Sequence, residues 1–262
     1  MKPGPGVSKD EPRKQGAARF FELLFREFWD FMKLNILFCL IALPSVLVFL
    51  FGFIALYPYL AFIISFFLAV ALAFPIGGAL TAYIFYITKM MRDEPSYVWY
   101  EFKRKFKENY KQAAPVGMVS TAFVYTQIML WTLLTSPYSG VDGGFLWFFA
   151  GILSLVIFGM ITPYIFMHLA YIDLKTSAMF KNSILMSFGY FPRSFMAAFL
   201  GGLPWIIFGL FFPASLIAIP FVGFIVVSIS ILLTLMWAWK PFDSHFKIEE
   251  TLVARLDEEG TE

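Results

Sequence analysis

The sequence predicts an all-α polytopic membrane protein with six transmembrane helices arranged as three hairpins, each preceded by an amphipathic interfacial helix, and both termini cytoplasmic. Three observations lead there. Residues 34–88 and 194–239 contain no Asp, Glu, Lys or Arg, and residues 112–172 contain only Asp142. A helix crosses the hydrocarbon core with about 20 apolar residues, so each stretch accommodates two passes and a short turn. All 20 Lys and Arg lie outside these stretches, in 1–33, 89–111, 175–193 and 240–255, which fall on one side of the weave. The positive-inside rule makes that side the cytoplasm. The chain is 60% hydrophobic and 15% charged, against about 25% charge in soluble domains.

The first span is expected over about 34–53 and the second over about 57–89, with Tyr57, Pro58 and Tyr59 at the first outer turn. Tyrosines suit the membrane–water boundary. Pro75, followed by Gly77 and Gly78, predicts a kink, because proline removes a backbone donor and crowds the preceding turn. Spans three and four follow over about 115–135 and 145–171, joined through 136–144 with Asp142 outside. Spans five and six are expected over about 195–212 and 216–239, with Pro213 and Pro220 around their connection. A disordered polar leader (1–18), one membrane domain (19–240, in units of about 19–90, 91–172 and 173–240) and a cytoplasmic tail (241–262) complete the division. A cleaved secretory signal is not expected, since the polar leader is too long.

The segments before spans one, three and five share a pattern. Phe20, Leu24, Phe28 and Phe31 form one stripe at helical spacing; Trp99, Phe102, Phe106 and Tyr110 form the second; Phe180, Ile184, Phe188 and Phe191 form the third. Lys103, Arg104, Lys107 and Lys111 surround the second stripe. Such helices lie in the interface with basic groups toward anionic headgroups. Asn109 and Gln112 add polar groups able to make directed hydrogen bonds, so Trp99, Phe102, Phe106, Asn109, Tyr110 and Gln112 are the candidate contacts with lipid or a partner protein. Close helix packing in lipid needs small residues. Ala73, Gly77 and Gly78 in span two, and Ala197 and Gly201 in span five, are the packing candidates.

Chemistry is sparse. No charged residue lies at mid-span, where one would mark an ion or proton path. His168, near the end of span four, reads as an interfacial polar residue before a proton carrier, and His245 has no paired ligand. Neither these two histidines nor the lone Cys39 makes a metal site. Gly77-Gly78 and Gly201-Gly202 lack the phosphate-loop pattern. Ser65, Gln127, Ser154 and Thr162 could line a solute path or bond between helices. The sequence therefore predicts no enzyme, no cofactor and no nucleic-acid partner; membrane lipids are expected partners, and a homo-oligomer is left open.

Three stretches carry a family resemblance: Phe28-Trp29-Asp30-Phe31-Met32-Lys33-Leu34-Asn35-Ile36-Leu37-Phe38 with Leu43-Pro44, then Pro75-Ile76-Gly77-Gly78-Ala79-Leu80-Thr81-Ala82-Tyr83, then Phe102-Lys103-Arg104-Lys105-Phe106-Lys107-Glu108-Asn109-Tyr110-Lys111-Gln112. In these the chain resembles the YesL-like family of bacterial membrane proteins, a domain-of-unknown-function group. The high Phe content and the polar leader depart from that pattern. The resemblance implies a bacterial plasma-membrane protein that accompanies carbohydrate ABC importers as an auxiliary subunit or stabiliser, with permease subunits as partners. A stand-alone channel or carrier for a small neutral solute, and a lipid-sensing or envelope-stress protein, are the alternatives.

Overall fold

The computed structural model describes residues 14–54, 59–135, 144–172, 174–210 and 225–252. The expected turns at 55–58, 136–143 and 211–224, with Asp142, Pro213 and Pro220, lie outside the described residues, as do 1–13 and 253–262.

Regular structure among the described residues is helical. Helix α1 spans Gly16–Arg26, so helix already occupies the end of the expected leader. The chain turns at Glu27, whose N–H donates to the Leu23 carbonyl at 2.9 Å. Helix α2 then runs over Phe28–Ile54. The first aromatic stripe is thus split between two helices, with its member Phe31 and the neighbouring Leu23 fully buried.

Helices α3 (Tyr59–Leu72) and α4 (Phe74–Met91) are bent by 45° where they meet. The break falls at Ala73, two residues before Pro75. Proline offers no N–H to the carbonyl four residues earlier, and the chain instead closes a tighter turn, with the Ile76 N–H donating to the Ala73 carbonyl at 2.9 Å. Pro75 then sits in the first turn of α4, where its missing donor costs nothing.

Helix α5 is continuous over 38 residues, Val98–Thr135. The second amphipathic segment is therefore not a separate interfacial helix: it forms the first turns of the same helix that carries span three. At 1.5 Å per residue α5 is roughly 57 Å long, nearly twice the roughly 30 Å hydrocarbon core. The third segment does form its own helix, α7 (Thr176–Gly189), between α6 (Phe145–Tyr171) and α8 (Phe191–Leu210). Helix α9 spans Val226–Phe246.

Among the described residues four helices, α2, α5, α6 and α9, are each long and apolar enough to cross a membrane, and α3 with α4 makes a fifth if the bent pair is one span. Packing is uneven along them. One cluster of buried side chains gathers Leu23, Phe31, Tyr83, Ile87, Tyr164, Met167, Met179, Leu235 and Phe242 from six helices, and α4 lies at its centre. Toward the other end the helices expose apolar side chains such as Leu40, Phe51, Phe67, Phe145, Leu146 and Leu210. Exposed apolar surface on this scale suits a lipid surround.

Candidate functional site

The expected contact face on α5 is mostly covered by the chain itself. Helices α4 and α5 run antiparallel and touch along their length. Phe102 is only 4% exposed. Phe106 lies over Gly78, where a methyl group would stand 3.2 Å from its ring. Tyr110 meets Phe74 edge-on at 5.7 Å and Phe106 at 5.4 Å. Asn109 donates from Nδ2 to the Lys105 carbonyl of its own helix at 3.1 Å, and Gln112 donates from Nε2 to the Leu174 carbonyl at 2.5 Å. Gln112 thereby ties α5 to the α6–α7 connection. Trp99 alone of the six is exposed, at 64%, and it is flanked by the equally open Tyr97 and Tyr100. The structure thus separates one exposed aromatic tip from five internal contacts.

The small residues sit at close approaches. A methyl group on Gly77 would run into the Ala113 carbonyl and reach within 2.9 Å of the Gly117 nitrogen, so backbones of α4 and α5 nearly touch there. Gly117, which the sequence pattern did not single out, is the other half of that crossing. Ala73 is buried with Ala42 and Ile76. Ala197 is buried, and Gly201 faces Thr234 on α9, with the Ser230 hydroxyl donating to the Gly201 carbonyl.

Charged residues close the basic end. Lys89 and Arg104 both donate to Glu101, Lys89 at 2.9 Å. Arg19 and Arg26 on α1 grip Asp93 at 2.7 and 2.6 Å. Asp93 holds a left-handed backbone (φ 61°), a conformation Asp tolerates better than most residues. Burial alone would raise its carboxyl, but the hydrogen bonds from Arg26 and Arg19 outweigh that and hold its pKa below the ordinary carboxylate value. Arg92 is sandwiched between the rings of Tyr171 (5.5 Å) and Trp239 (5.1 Å). It donates to the Tyr171 hydroxyl at 3.1 Å and to Glu94 at 2.5 Å. One side chain thus joins the ends of α4, α6 and α9.

Polar groups within the apolar stretches pair with each other. Tyr83 donates to Asn35 Oδ1 at 2.5 Å and hydrogen-bonds with Ser228 at 2.5 Å, which links α4, α2 and α9. Ser45 bonds with Tyr125 at 2.8 Å and donates to the Ala69 carbonyl. Gln127 donates to Ser154 at 2.8 Å, and Thr162 and Ser65 bond back to their own helices. His168 is fully buried. Its Nδ1 lies 2.7 Å from the Tyr164 carbonyl and 3.1 Å from the Ser183 hydroxyl, while Nε2 has no partner. Phe242 and Phe246 stand perpendicular to its ring at 5.1 and 5.2 Å. Among the described residues no three His, Cys, Asp or Glu gather as a metal site.

Grooves lie on the surface formed by the described residues. One of about 390 Å³ lies beside the α3–α4 bend, lined by Phe74, Pro75, Phe106, Lys107 and Tyr110. Another, of about 480 Å³, lies between α7 and the end of α9. The arrangement offers side chains for packing, ion pairing and surface contact, with Tyr83, Asn35 and Ser228, Ser45 and Tyr125, and Gln127 and Ser154 paired in the interior. No family model, curated protein or solved structure matches this chain.

Proposed function

We propose that this chain is a non-enzymatic auxiliary subunit of a bacterial carbohydrate ABC importer, in keeping with its YesL-like resemblance. In this reading α8 is a further span, the six spans form three outward hairpins, and both termini with the Lys/Arg clusters lie in the cytoplasm of a plasma-membrane protein. The observation that carries the non-carrier part is the pairing of interior polar groups. Asn35 and Ser228 both bond the Tyr83 hydroxyl, Gln127 donates to Ser154, and Ser65 and Thr162 bond to their own helices, so these polar groups serve contacts between and within helices. A carrier needs such groups turned to a cavity.

The partner contact fits the α5 tip best. Trp99 lies 13 residues before Gln112, so along a continuous helix it stands roughly 20 Å beyond it. That is well outside the headgroup layer if the charged residues 103–111 mark the boundary. Trp and Tyr are the side chains most often central to protein contacts. Mild-detergent purification of the tagged chain tests the reading by the membrane proteins that accompany it: sugar-importer permease subunits are expected, and Trp99→Ala with Tyr100→Ala releases them. A chain that purifies alone and moves a neutral solute into proteoliposomes overturns it.

A further inference from the structure

The groove between α7 and the end of α9 shares only Phe246, which also meets His168, with the contacts above. Its volume of about 480 Å³ is in the range of small-ligand sites, about 300–1,000 Å³. Leu185, Met186 and Phe246 give it apolar walls, and Asn182, Tyr190 and His245 give it polar ones. Lys181, next to Asn182, is exposed. The acids that follow and precede His245 in sequence are engaged: Asp243 accepts the Glu249 N–H at 2.9 Å, the Glu249 carboxylate accepts from Trp239 Nε1 at 3.1 Å, and Glu250 pairs with Lys247 at 3.0 Å.

What distinguishes this groove is the helix that follows it. Its lining ends at Tyr190, the residue between α7 and α8, and an exposed aromatic ladder starts at the next position. Phe191 stacks on Phe195 at 6.0 Å and Phe195 on Phe199 at 6.5 Å, and all three are exposed. A polar-and-apolar groove, followed at the next residue by a face of exposed rings along α8, matches the two halves of a lipid.

We propose that the α7–α9 groove holds the headgroup of an anionic glycerophospholipid, with its acyl chains lying along the Phe191–Phe195–Phe199 ladder. The Asn182 amide, the Tyr190 hydroxyl and an N–H of His245 donate to phosphate oxygens, and Lys181 supplies charge. A soluble anion would make no use of the ladder, and a zwitterionic lipid would make less of Lys181. The site depends on a membrane setting and is independent of any permease partner.

Native mass spectrometry of the full detergent-purified chain, titrated with phosphatidylglycerol, phosphatidylcholine or inorganic phosphate, tests this. One phosphatidylglycerol retained in preference to phosphatidylcholine is expected. Lys181→Gln weakens that retention about fivefold, and Leu185→Trp, which fills the groove, abolishes it. Phe195→Ala with Phe199→Ala weakens it, while Lys33→Gln, on the exposed flank of α2, leaves it unchanged. Circular dichroism of each variant shows that the helices persist, and Asn182→Ala replaces Leu185→Trp if the latter fails to fold. Equal retention of both lipids, or full retention in the groove variants, overturns the site. Displacement of the lipid by inorganic phosphate also overturns it, in favour of a soluble-anion site.

Discussion

A methyl group at Gly77 would meet the Ala113 carbonyl and approach the Gly117 nitrogen to 2.9 Å, whereas at Gly202 it would meet nothing within 4 Å. Backbone atoms cannot swing aside as a side chain can. Gly77→Ala is therefore expected to lower stability by about 1–3 kcal/mol. Gly202→Ala is neutral or gains up to about 1 kcal/mol from helix propensity. Thermal unfolding in one detergent compares them, and equal melting temperatures would contradict the α4–α5 crossing. Asp93 gives a pH test. Its folded pKa is depressed by Arg26 and Arg19 against the effect of burial, so its contribution is present above the ordinary carboxylate value. It is lost as pH falls through the depressed folded value. Acidification below the carboxylate range should loosen α1 from α4, seen as faster hydrogen exchange in α1. Asp93→Asn keeps a side chain suited to the left-handed backbone and should exchange quickly at neutral pH, with little further acid effect.

Continuity of α5 is open to direct measurement. Spin labels at positions 99 and 124, in a Cys39→Ser background, lie about 37 Å apart along one straight helix. A separate helix turned into the bilayer plane would bring them much closer. The charge pattern of 101–111 was legible in the sequence, but charge marks where a helix leaves hydrocarbon and says nothing of where the helix ends. The 3.6-residue period of the Trp99, Phe102, Phe106 and Tyr110 face was equally legible. Its occupant was not, because an apolar face looks the same whether it meets lipid, a partner or α4. The Pro75 bend was readable since its cause is local. The bonds of Tyr83 with Asn35 and Ser228 were not, because they join positions 48 and 145 residues away and each residue alone is an unremarkable polar group.

Across the whole chain, Arg92 draws together the two ends of the second sequence unit and the last helix of the third. Arg92→Lys keeps the charge but loses the planar fork that bonds Tyr171 and Glu94 and stacks between two rings, an expected loss of about 1–2 kcal/mol. It should appear as a lower melting temperature with unchanged helix content; an unaltered melt would remove Arg92 from the centre of the assembly. The topology is tested at the α5 tip. Tyr97→Cys in the Cys39→Ser background should resist an impermeant thiol reagent in intact cells and react after permeabilisation, and the opposite pattern would invert the protein.

The central position of α4 also bears on how the protein is made. Helix α4 belongs to the first unit to leave the ribosome, yet Tyr83 waits for Ser228, and Arg92 for Trp239, both on the last helix described. Until α9 has been made, a tyrosine hydroxyl and a guanidinium lack their final neighbours. A nascent chain cut short after residue 172 would carry two units and an α4 without its contacts to α9. The helix that organises the mature bundle is thus completed only by a helix made about 135 residues after it.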